Sequence, residues 1–409
     1  MYPAYPAPSD RALALEQELR DFLDIEVLPA EAAYLRHLEV HGHAVTHAPP
    51  VVEELKVKAR ERGLWNLFLP AESDLTQLEY AALAELTGWS QELAPEALNC
   101  AAPDTGNMEL LHLLGTEEQK QQWLEPLLDG RIRSAFAMTE KAVASSDATN
   151  IETSIVRDGD EYVINGRKWW ISGSADPRCA VLIVMGKTDP EAASHRQQSM
   201  VIVPMDTPGI EIVRNLPVFG FLHWQGHCEL QLTDVRVPVT NILGEEGGGF
   251  AAAQARLGPG RIHHVMRALG AGERALATMV QRSTSRTAFG RTLAEQGVVR
   301  QKIAEARIAL DAARALCHLA AYTIDSQGNK AARHLVSEAK VMVPRTVLQI
   351  IDDAIQVHGG AGVSQDTPLS EMYGWHRAMR IFDGPDDVHL LTLARAELQR
   401  EPLVRLPLR

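Results

Sequence analysis

One carboxylate in the sequence occupies a position suited to removing a proton. Asp383 follows two apolar residues, Ile381 and Phe382, and precedes Gly384-Pro385, where the last predicted helix begins. A carboxylate held partly out of water there would have a raised pKa and could act as a general base. The alternative is an exposed acid just before a helix that has proline at its first position.

Two segments in the middle of the chain suit contact with a flat or phosphorylated ligand. Residues 135–147 are rich in small and hydroxyl side chains, among them Thr139, Ser145 and Ser146. Such residues let the backbone approach closely and offer hydrogen bonds, although a polar loop after a strand would look the same. Adjacent tryptophans follow at 169–170, and strand geometry predicts one indole on each face. One indole could stack on an aromatic cofactor, unless both belong to the core.

Glycines mark two further candidate ligand sites. Residues 258–260 read Gly-Pro-Gly, which predicts a helix start with Arg261 in its first turn as an anion site. His263 and His264 face different sides of a helix, so satisfied or solvated side chains explain them better than a metal. The glycines of residues 359–362 permit close backbone approach, but they follow a helix and no βαβ unit surrounds them. They are therefore not a dinucleotide fingerprint.

These segments are positioned by helices, then strands, then helices again. Residues 1–134 have helical periodicity, residues 135–242 have short alternating β-branched runs, and residues 243–409 return to long amphipathic helices. We predict an α+β fold with an N-terminal all-α domain, a middle β-barrel or sandwich domain and a C-terminal four-helix-bundle domain at these bounds.

Local signals predict several details of these elements. Ser9 or Asp10 suits the N-cap of the first helix, and Thr116 can cap a later helix that Gly130 closes. The pair at 165–166, Asn-Gly, predicts a hairpin turn.

The C-terminal helices carry their own pattern. Apolar residues between Val299 and Ile324 repeat at alternating spacings of four and three, which predicts a helix–helix seam. In a second long helix, about residues 331–357, Pro344 should cause a kink or a local break.

Composition limits the class of protein. The 409 residues carry a formal net charge of −13, which argues against nucleic acid as a partner. The four cysteines lie far apart without a CxxC pair, so zinc sites and disulfides are not expected and a reducing compartment fits. There is no apolar run long enough to span a membrane and no signal peptide pattern. We therefore predict a cytoplasmic bacterial protein.

Together, these segments resemble the flavin-dependent acyl-CoA dehydrogenase superfamily, in order and over nearly the whole chain. FAMTE…SSD is similar to the family's flavin loop, INGRKWWIS to the hairpin that follows, and RTAFGR, QVHGGAGV and FDGPDDVH to later flavin and catalytic segments. Within the superfamily the chain is most similar to acyl-CoA dehydrogenase family members 10 and 11 and their bacterial relatives. The phrases SSDATNIE, GPGRIHH, QVHGGAGVSQD and DGPDDVHL carry that likeness.

The resemblance implies a mechanism and a place in fatty acid β-oxidation. A carboxylate removes the α-proton of an acyl-CoA thioester while the β-hydrogen passes as hydride to N5 of FAD, which gives trans-2-enoyl-CoA. The developing enolate is stabilised by a backbone N–H beside the base and by a flavin hydroxyl. Asp383 matches the base.

Carried over position by position, the resemblance also implies the ligand contacts. FAD contacts are implied for Phe136, Met138, Thr139, Ser145, Ser146, Trp170, Ile171, Ser172, Arg286, Phe289, Gln296, Gln356, Val357, Gly359, Gly360, Gly384, Pro385 and Asp387. Acyl-CoA contacts are implied for Ser146, Gly258, Gly260, Arg261, Asp383 and Gly384. No metal site is implied.

The chain departs from the family pattern at several positions. Most members have glutamate where Asp383 stands, and aspartate is one methylene shorter. Lys141 stands where proline is usual, and Pro385 replaces a common hydroxyl residue. The family's alternative base position is Gly260, so no second base competes.

The resemblance further implies partners. Arg286, Gln296 and residues 356–360 match contacts made by a neighbouring subunit, so a homodimer or homotetramer is expected. An electron-transfer flavoprotein is the expected electron acceptor, and a medium- or long-chain or hydroxyacyl-CoA is the expected substrate. Two alternatives stay open: a flavin oxidase of the same fold, resembling acyl-CoA oxidase or nitroalkane oxidase, and a non-catalytic DNA-binding flavoprotein.

Overall fold

The computed structural model describes residues 5–41 and 48–400. Along the chain, helices come before and after the strands of one large sheet. The helices before that sheet are α1 (Asp10–Phe22), α2 (Leu28–His41), α3 (Pro50–Glu61), α4 (Pro70–Ser73), α5 (Gln77–Thr87), α6 (Ala94–Ala97), α7 (Asp104–Leu114), α8 (Glu117–Gln119) and α9 (Glu125–Leu128). π-Helical turns at Leu23–Val27 and Lys120–Leu124 make α1–α2 and α8–α9 continuous helical stretches.

The predicted caps are confirmed. The Ser9 hydroxyl accepts from the Ala12 N–H at 3.1 Å at the start of α1, and Thr116 forms a reciprocal capping box with Gln119 at the start of α8. Gly130, with φ +64°, follows α9 and turns the chain toward the first strand.

Seven strands form one curled sheet. They are β1 (Arg133–Ala137), β2 (Ser154–Asp158), β3 (Glu161–Ser172), β4 (Cys179–Lys187), β5 (Gln198–Pro204), β6 (Ile210–Asn215) and β7 (His227–Pro238). The order is β1-β4-β2-β3-β7-β6, and β5 pairs with β4. β4 lies parallel to β1 and antiparallel to β5, so three strands meet along it and the sheet curls there.

The predicted hairpin turn at Asn165-Gly166 is wrong, because β3 continues through it, with a shift of register against β7. The turn between β2 and β3 lies at residues 159–160 instead. Asn165 bonds across the sheet: its Oδ1 accepts from the Asp234 N–H at 2.8 Å. Gly166 is needed for close approach, since a Cβ there would lie 2.3 Å from Oγ1 of Thr153.

The tryptophan pair also departs from prediction. The register of β3 against β7 shifts between Lys168 and Ile171, and Trp170 has φ +58°. This bulge interrupts the alternation of side chains, so the two indoles are not on opposite faces. The ring centroids of Trp169 and Trp170 are 5.6 Å apart.

Long helices follow the sheet. They are α10 (Gly249–Ser285), α11 (Gly297–Gln327), α12 (Asn329–His358), α13 (Leu369–Met379) and α14 (Asp386–Leu398), with a small hairpin, β8 (Thr287–Ala288) and β9 (Arg291–Thr292), between α10 and α11. The seam prediction is confirmed, because α11 buries Ala306, Leu310, Ala313 and Cys317 against its neighbours.

Two predicted helix breaks are absent from this part of the chain. α10 starts at Gly249 and continues through residues 258–260, so Arg261 lies within the helix and not in a first turn. α12 is likewise continuous through Pro344. Val343 and Val347, before and after the proline in sequence, are buried in the core, and such packing can hold a helix together despite the lost hydrogen bond.

One hydrophobic core joins helices from both ends of the chain, and a second is formed by side chains of the strands. The two boundaries between the three predicted domains, after residues 134 and 242, remain a prediction. All four cysteines are buried and free. No helix among the described residues combines the length and the apolar character needed to cross a membrane.

Candidate active site

Asp383 lies on a short loop between α13 and α14. It has φ +55° and the following Gly384 has φ +97°, so the chain reverses there through two left-handed residues. Pro385 is the N-cap of α14 and not its first residue, which is Asp386. The side chain of Asp383 is 23% exposed, so the prediction of a partly buried carboxylate is confirmed.

Cations from two other helices hold this loop by its backbone. Nε of Arg261 in α10 donates to the Asp383 carbonyl at 2.8 Å. Lys340 in α12 is 1% exposed, and its Nζ donates to the carbonyls of Met379 and, at 3.0 Å, Phe382. The position of the Asp383 backbone is therefore fixed by both long helices.

The charge state of Asp383 differs from the prediction. Burial alone would raise the pKa of its carboxyl, but His264, Lys340, Arg256 and Arg261 together lower the pKa below the ordinary value. Nε2 of His264 lies 3.3 Å from Oδ2 of Asp383. Burial lowers the pKa of His264 to about 4, so at neutral pH a neutral imidazole faces an ionised carboxylate.

A cavity of about 50 Å³, with polar and apolar side chains in its lining, lies next to this pair. Its lining comes from α10, α13 and the turn after α5 and consists of Gln91, His264, Arg267, Ala268, Trp375, His376 and Met379. Sequence reasoning missed Gln91, Arg267 and His376, because no motif marks side chains that meet only after three separate helices pack.

The predicted flavin loop joins the tryptophan segment in space. The Trp169 N–H donates to the Thr139 carbonyl at 2.8 Å, and the Ser145 hydroxyl accepts from the Glu140 N–H at 2.8 Å. The guanidinium of Arg256 stacks on the Phe136 ring at 4.0 Å. Met138, half-buried, packs against the core, and Ser146 is exposed beyond the turn.

A buried ion pair anchors that loop, and sequence reasoning did not find it. Lys168 is 0% exposed, and its Nζ lies 2.8 Å from Oε1 of Glu140, 3.0 Å from the Met138 carbonyl and 2.7 Å from the Met185 carbonyl. Burial lowers the pKa of Lys168 to about 8, a shift that Glu140 opposes, so the ammonium is charged at neutral pH. The Glu140 carboxylate also accepts two backbone N–H groups.

The end of β3 presents an indole and a hydroxyl. Trp170 is 36% exposed, Ile171 is buried, and the Ser172 hydroxyl lies 2.8 Å from Nδ1 of His227. Nε2 of His227 is buried without a partner among the described residues. Burial lowers the pKa of His227 to about 3, so the ring is neutral.

The remaining predicted FAD contacts lie elsewhere on the chain. Phe289 is fully exposed at the tip of the β8–β9 hairpin, next to Arg286, and Gln296 accepts from Arg291 at 2.9 Å. Gln356, Gly359 and Gly360 are exposed at the end of α12, and Val357 is half-buried there.

This second group is separated from the Asp383 loop by the length of a helix. Gly359 follows Lys340 along α12 by about 28 Å at the rise of an α-helix. The fold of one chain therefore does not assemble all the predicted FAD contacts in one place. Of the remaining predicted contacts, Asp387 is exposed in the first turn of α14, Gly260 opens to free space, and Gly258 lies outside the residues whose surroundings are described.

Family profiles cover almost all of the described chain. Residues 9–131, 135–235 and 247–398 match the profiles described as the N-terminal, middle and C-terminal domains of acyl-CoA dehydrogenase. The chain belongs to the acyl-CoA dehydrogenase family, whose members are flavin-dependent oxidoreductases. The predicted fold class, enzyme class and FAD cofactor are thereby confirmed.

Individual relatives agree with this assignment. The chain is 67% identical over 97% of its length to a Mycobacterium tuberculosis protein named probable acyl-CoA dehydrogenase FadE2, of which it covers 97%. It is 55% identical over 93% of its length to acyl-CoA dehydrogenase family member 11 of Gallus gallus, of which it covers 50%. The predicted likeness to family members 10 and 11 is confirmed, and the chain spans about half the length of that relative.

Solved structures give the same result for the fold. A structure from Mycobacterium abscessus, named as an acyl-CoA dehydrogenase, is 49% identical over 96% of this chain and 99% of that chain, with a TM-score of 0.93. Butyryl-CoA dehydrogenase from Megasphaera elsdenii is 25% identical over 97% of this chain and 100% of that chain, with a TM-score of 0.81.

The residues at the end of β3 fit FAD. An isoalloxazine ring needs an apolar face and polar partners at its edge, and the exposed Trp170 indole and the Ser172 hydroxyl provide both. The ring of His227, whose Nε2 has no partner among the described residues, contacts both of them. At the far end of α12, a Cβ on Gly359 or Gly360 would meet nothing within 4 Å, so backbone is open there to a ligand.

Proposed function

We propose that this chain converts acyl-CoA thioesters to trans-2-enoyl-CoA, with Asp383 as the base that removes the α-proton. The ionised carboxylate of Asp383, on a loop fixed by Arg261 and Lys340, is the observation that carries the proposal. FAD, when bound, supplies the acceptor for the β-hydride. On this chain, the proposed FAD contacts include Phe136, Thr139, Ser145 and residues 170–172.

The low pKa of Asp383 suits a base that must be ready in the resting enzyme. Its carboxylate is unprotonated at neutral pH, so no proton has to leave before substrate binds. When the acyl chain displaces water from the adjacent cavity, the anion loses solvation and becomes a stronger base. A backbone N–H beside Asp383 is the proposed donor to the developing enolate oxygen.

Among the expected substrates, which are medium- or long-chain acyl-CoA and hydroxyacyl-CoA, the lining of the cavity favours one with a polar acyl group. Gln91, Arg267 and His376 line the cavity, and Nε of Arg267 is buried there without a hydrogen-bond partner among the described residues, which a hydrocarbon chain could not supply. An acyl chain that carries a hydroxyl could hydrogen-bond to them. We therefore favour hydroxyacyl-CoA over a plain acyl-CoA of the same length.

A second copy of the chain is the proposed source of the missing FAD contacts. Phe289 is fully exposed, and the backbone at Gly359 and Gly360 is open, although the family likeness predicts ligand contacts there. A homodimer or homotetramer would bring these groups to the FAD of a neighbouring subunit. An electron-transfer flavoprotein is the proposed acceptor of the electrons.

Anaerobic mixing of purified yellow protein with acyl-CoAs tests this function. Saturated acyl-CoAs of 4 to 20 carbons and their 4-hydroxy counterparts would be compared by the rate at which flavin absorbance is lost. Differences of about tenfold between substrates are readily resolved in this way. We expect bleaching, fastest with hydroxyacyl-CoA. Absence of bleaching with every acyl-CoA, in protein with FAD bound, would refute the dehydrogenase. Rapid reoxidation by oxygen alone would instead favour an oxidase.

A further inference from the structure

His264 is placed to act on the carboxylate of Asp383. It lies within α10, one residue after His263, whose Nε2 is 2.9 Å from Oε1 of Gln77 on the other side of the helix. Nε2 of His264 instead lies 3.3 Å from Oδ2 of Asp383. The imidazole also meets the Phe382 ring edge-on, with centroids 5.4 Å apart.

Burial, together with the cations around the contact, keeps the imidazole neutral. Six titratable side chains from four helices surround the pair: Arg256, Arg261, Arg267, Lys340, His376 and His389. The nearest acid on α14, Asp386, is already paired with Arg345 and Arg380 at 2.9 Å. A positive charge on His264 would add to these cations and is therefore unfavourable. The imidazole stays neutral, and one of its ring nitrogens carries an N–H that can donate.

The loop leaves the carboxylate free to turn. Arg261 holds the backbone carbonyl of Asp383 and Lys340 holds the carbonyls before it, but neither bonds to the carboxylate oxygens. Among the described residues, His264 is the side chain that lies within ion-pair distance of Oδ2, at 3.3 Å. A contact of 3.3 Å can tighten into a hydrogen bond when substrate closes the site.

We propose that His264 is a positioning residue, which donates its ring N–H to Asp383 and fixes the carboxylate in the orientation needed for α-proton removal. This inference rests on the proposed role of Asp383 as the base. Its physical basis is that aspartate has two side-chain torsions to restrain, and a misaligned base loses rate without losing substrate affinity. A hydrogen bond to the charged form also favours ionisation, so its loss moves the titration of Asp383 upward.

Two substitutions at one position separate this role from simple packing. His264→Gln keeps an N–H donor of similar reach, and His264→Ala removes it. His263→Gln is the matched control, since it changes the adjacent histidine, which is buried but faces Gln77 and not Asp383. Each holoenzyme would be mixed anaerobically with saturating acyl-CoA, and the rate of flavin bleaching per bound FAD measured from pH 5 to 9.

We expect the limiting bleaching rate of His264→Ala to fall about tenfold or more, with little change in the acyl-CoA concentration that gives half the limiting rate. The acidic limb of its pH–rate profile should move up by about one pH unit. His264→Gln should keep the rate within about threefold, and His263→Gln should match wild type in both measures. If His264→Ala does not retain FAD, His264→Leu, which fills the space without an N–H donor, takes its place in the comparison with His264→Gln. A lower rate and a shifted acidic limb in His264→Leu support the proposal, and a wild-type rate and profile in it refute the proposal.

An unchanged rate and pH profile in both His264 variants would overturn the positioning role while leaving the base in place. Asp383→Asn, measured alongside, tests the base separately. If that variant still bleaches at the wild-type rate, the proposed function of Asp383 fails, whatever the His264 variants show.

Discussion

Replacing the buried lysine that anchors the flavin loop should both destabilise the fold and weaken FAD binding. In Lys168→Met, the carboxylate of Glu140 loses its ion pair, and the carbonyls of Met138 and Met185 lose a donor. Because Lys168 is 0% exposed, water does not replace these partners without opening the structure. Breaking a buried pair in this way costs about 3–5 kcal/mol.

A neighbouring lysine provides the matched control. Lys141 is in the same loop, but its side chain is 48% exposed and its Nζ is 3.7 Å from Glu229. Lys141→Met should therefore cost less than about 1 kcal/mol. In the double variant Lys168→Met with Glu140→Gln, the buried charge is gone, so part of the loss should be recovered.

Guanidinium unfolding followed by tryptophan fluorescence measures the stability of each variant, and flavin fluorescence measures FAD release. We expect Lys168→Met to lower the free energy of unfolding several-fold more than Lys141→Met and to weaken FAD binding at least about tenfold. The reasoning is refuted if Lys168→Met unfolds within about 1 kcal/mol of wild type and retains FAD equally well.

Three further changes test other parts of the structure. Gly384→Ala should slow flavin bleaching about tenfold, because φ is +97° and a Cβ would lie 2.8 Å from Nε2 of His389; a wild-type rate would contradict this. Burial raises the pKa of Glu109 from 4.5 to about 8, so its carboxyl stabilises the fold fully below pH 4.5 and loses that contribution as pH rises through 8. As pH rises from 5 to 8, the free energy of unfolding of Glu109→Gln should therefore increase relative to wild type by on the order of 4 kcal/mol. If the two stability curves run parallel over this range, the raised pKa of Glu109 is refuted. Gly270→Ala should cost about 3 kcal/mol or more, because a Cβ would lie 1.8 Å from the Glu85 carbonyl; unchanged thermal unfolding would show that the two helices are not in backbone contact.

Signals that act within a few residues predicted their elements correctly. The Ser9 and Thr116 caps are hydrogen bonds to the next turn, so the sequence alone contains both partners. The apolar spacing of α11 likewise predicted which face would be buried, since a helix converts spacing directly into position.

Predictions failed where partners came from distant parts of the chain. Asn-Gly at 165–166 stays in β3 because Asp234 on β7 and Thr153 just before β2 contact it, and neither could be paired with it from sequence. The glycines at 258–260 lie inside α10, a helix whose length is set by packing against α5, α11 and α12.

The electrostatics of the site could be predicted only in part. The position of Asp383 and its partial burial followed from its neighbours in sequence. The direction of its pKa shift did not, because Arg256, Arg261, His264 and Lys340 reach it from two other helices. The ion pair of Lys168 with Glu140 joins residues 28 positions apart and carries no motif.

The identity of the base is the central claim, and Asp383→Asn tests it most directly. Holoenzyme with this substitution would be mixed anaerobically with the best acyl-CoA substrate, while flavin bleaching and exchange of the substrate α-hydrogen with deuterated water are followed together. We predict that both rates fall by about 10²–10⁴, with FAD still bound and acyl-CoA still binding. Bleaching and α-exchange within a few-fold of wild type would show that another group removes the proton.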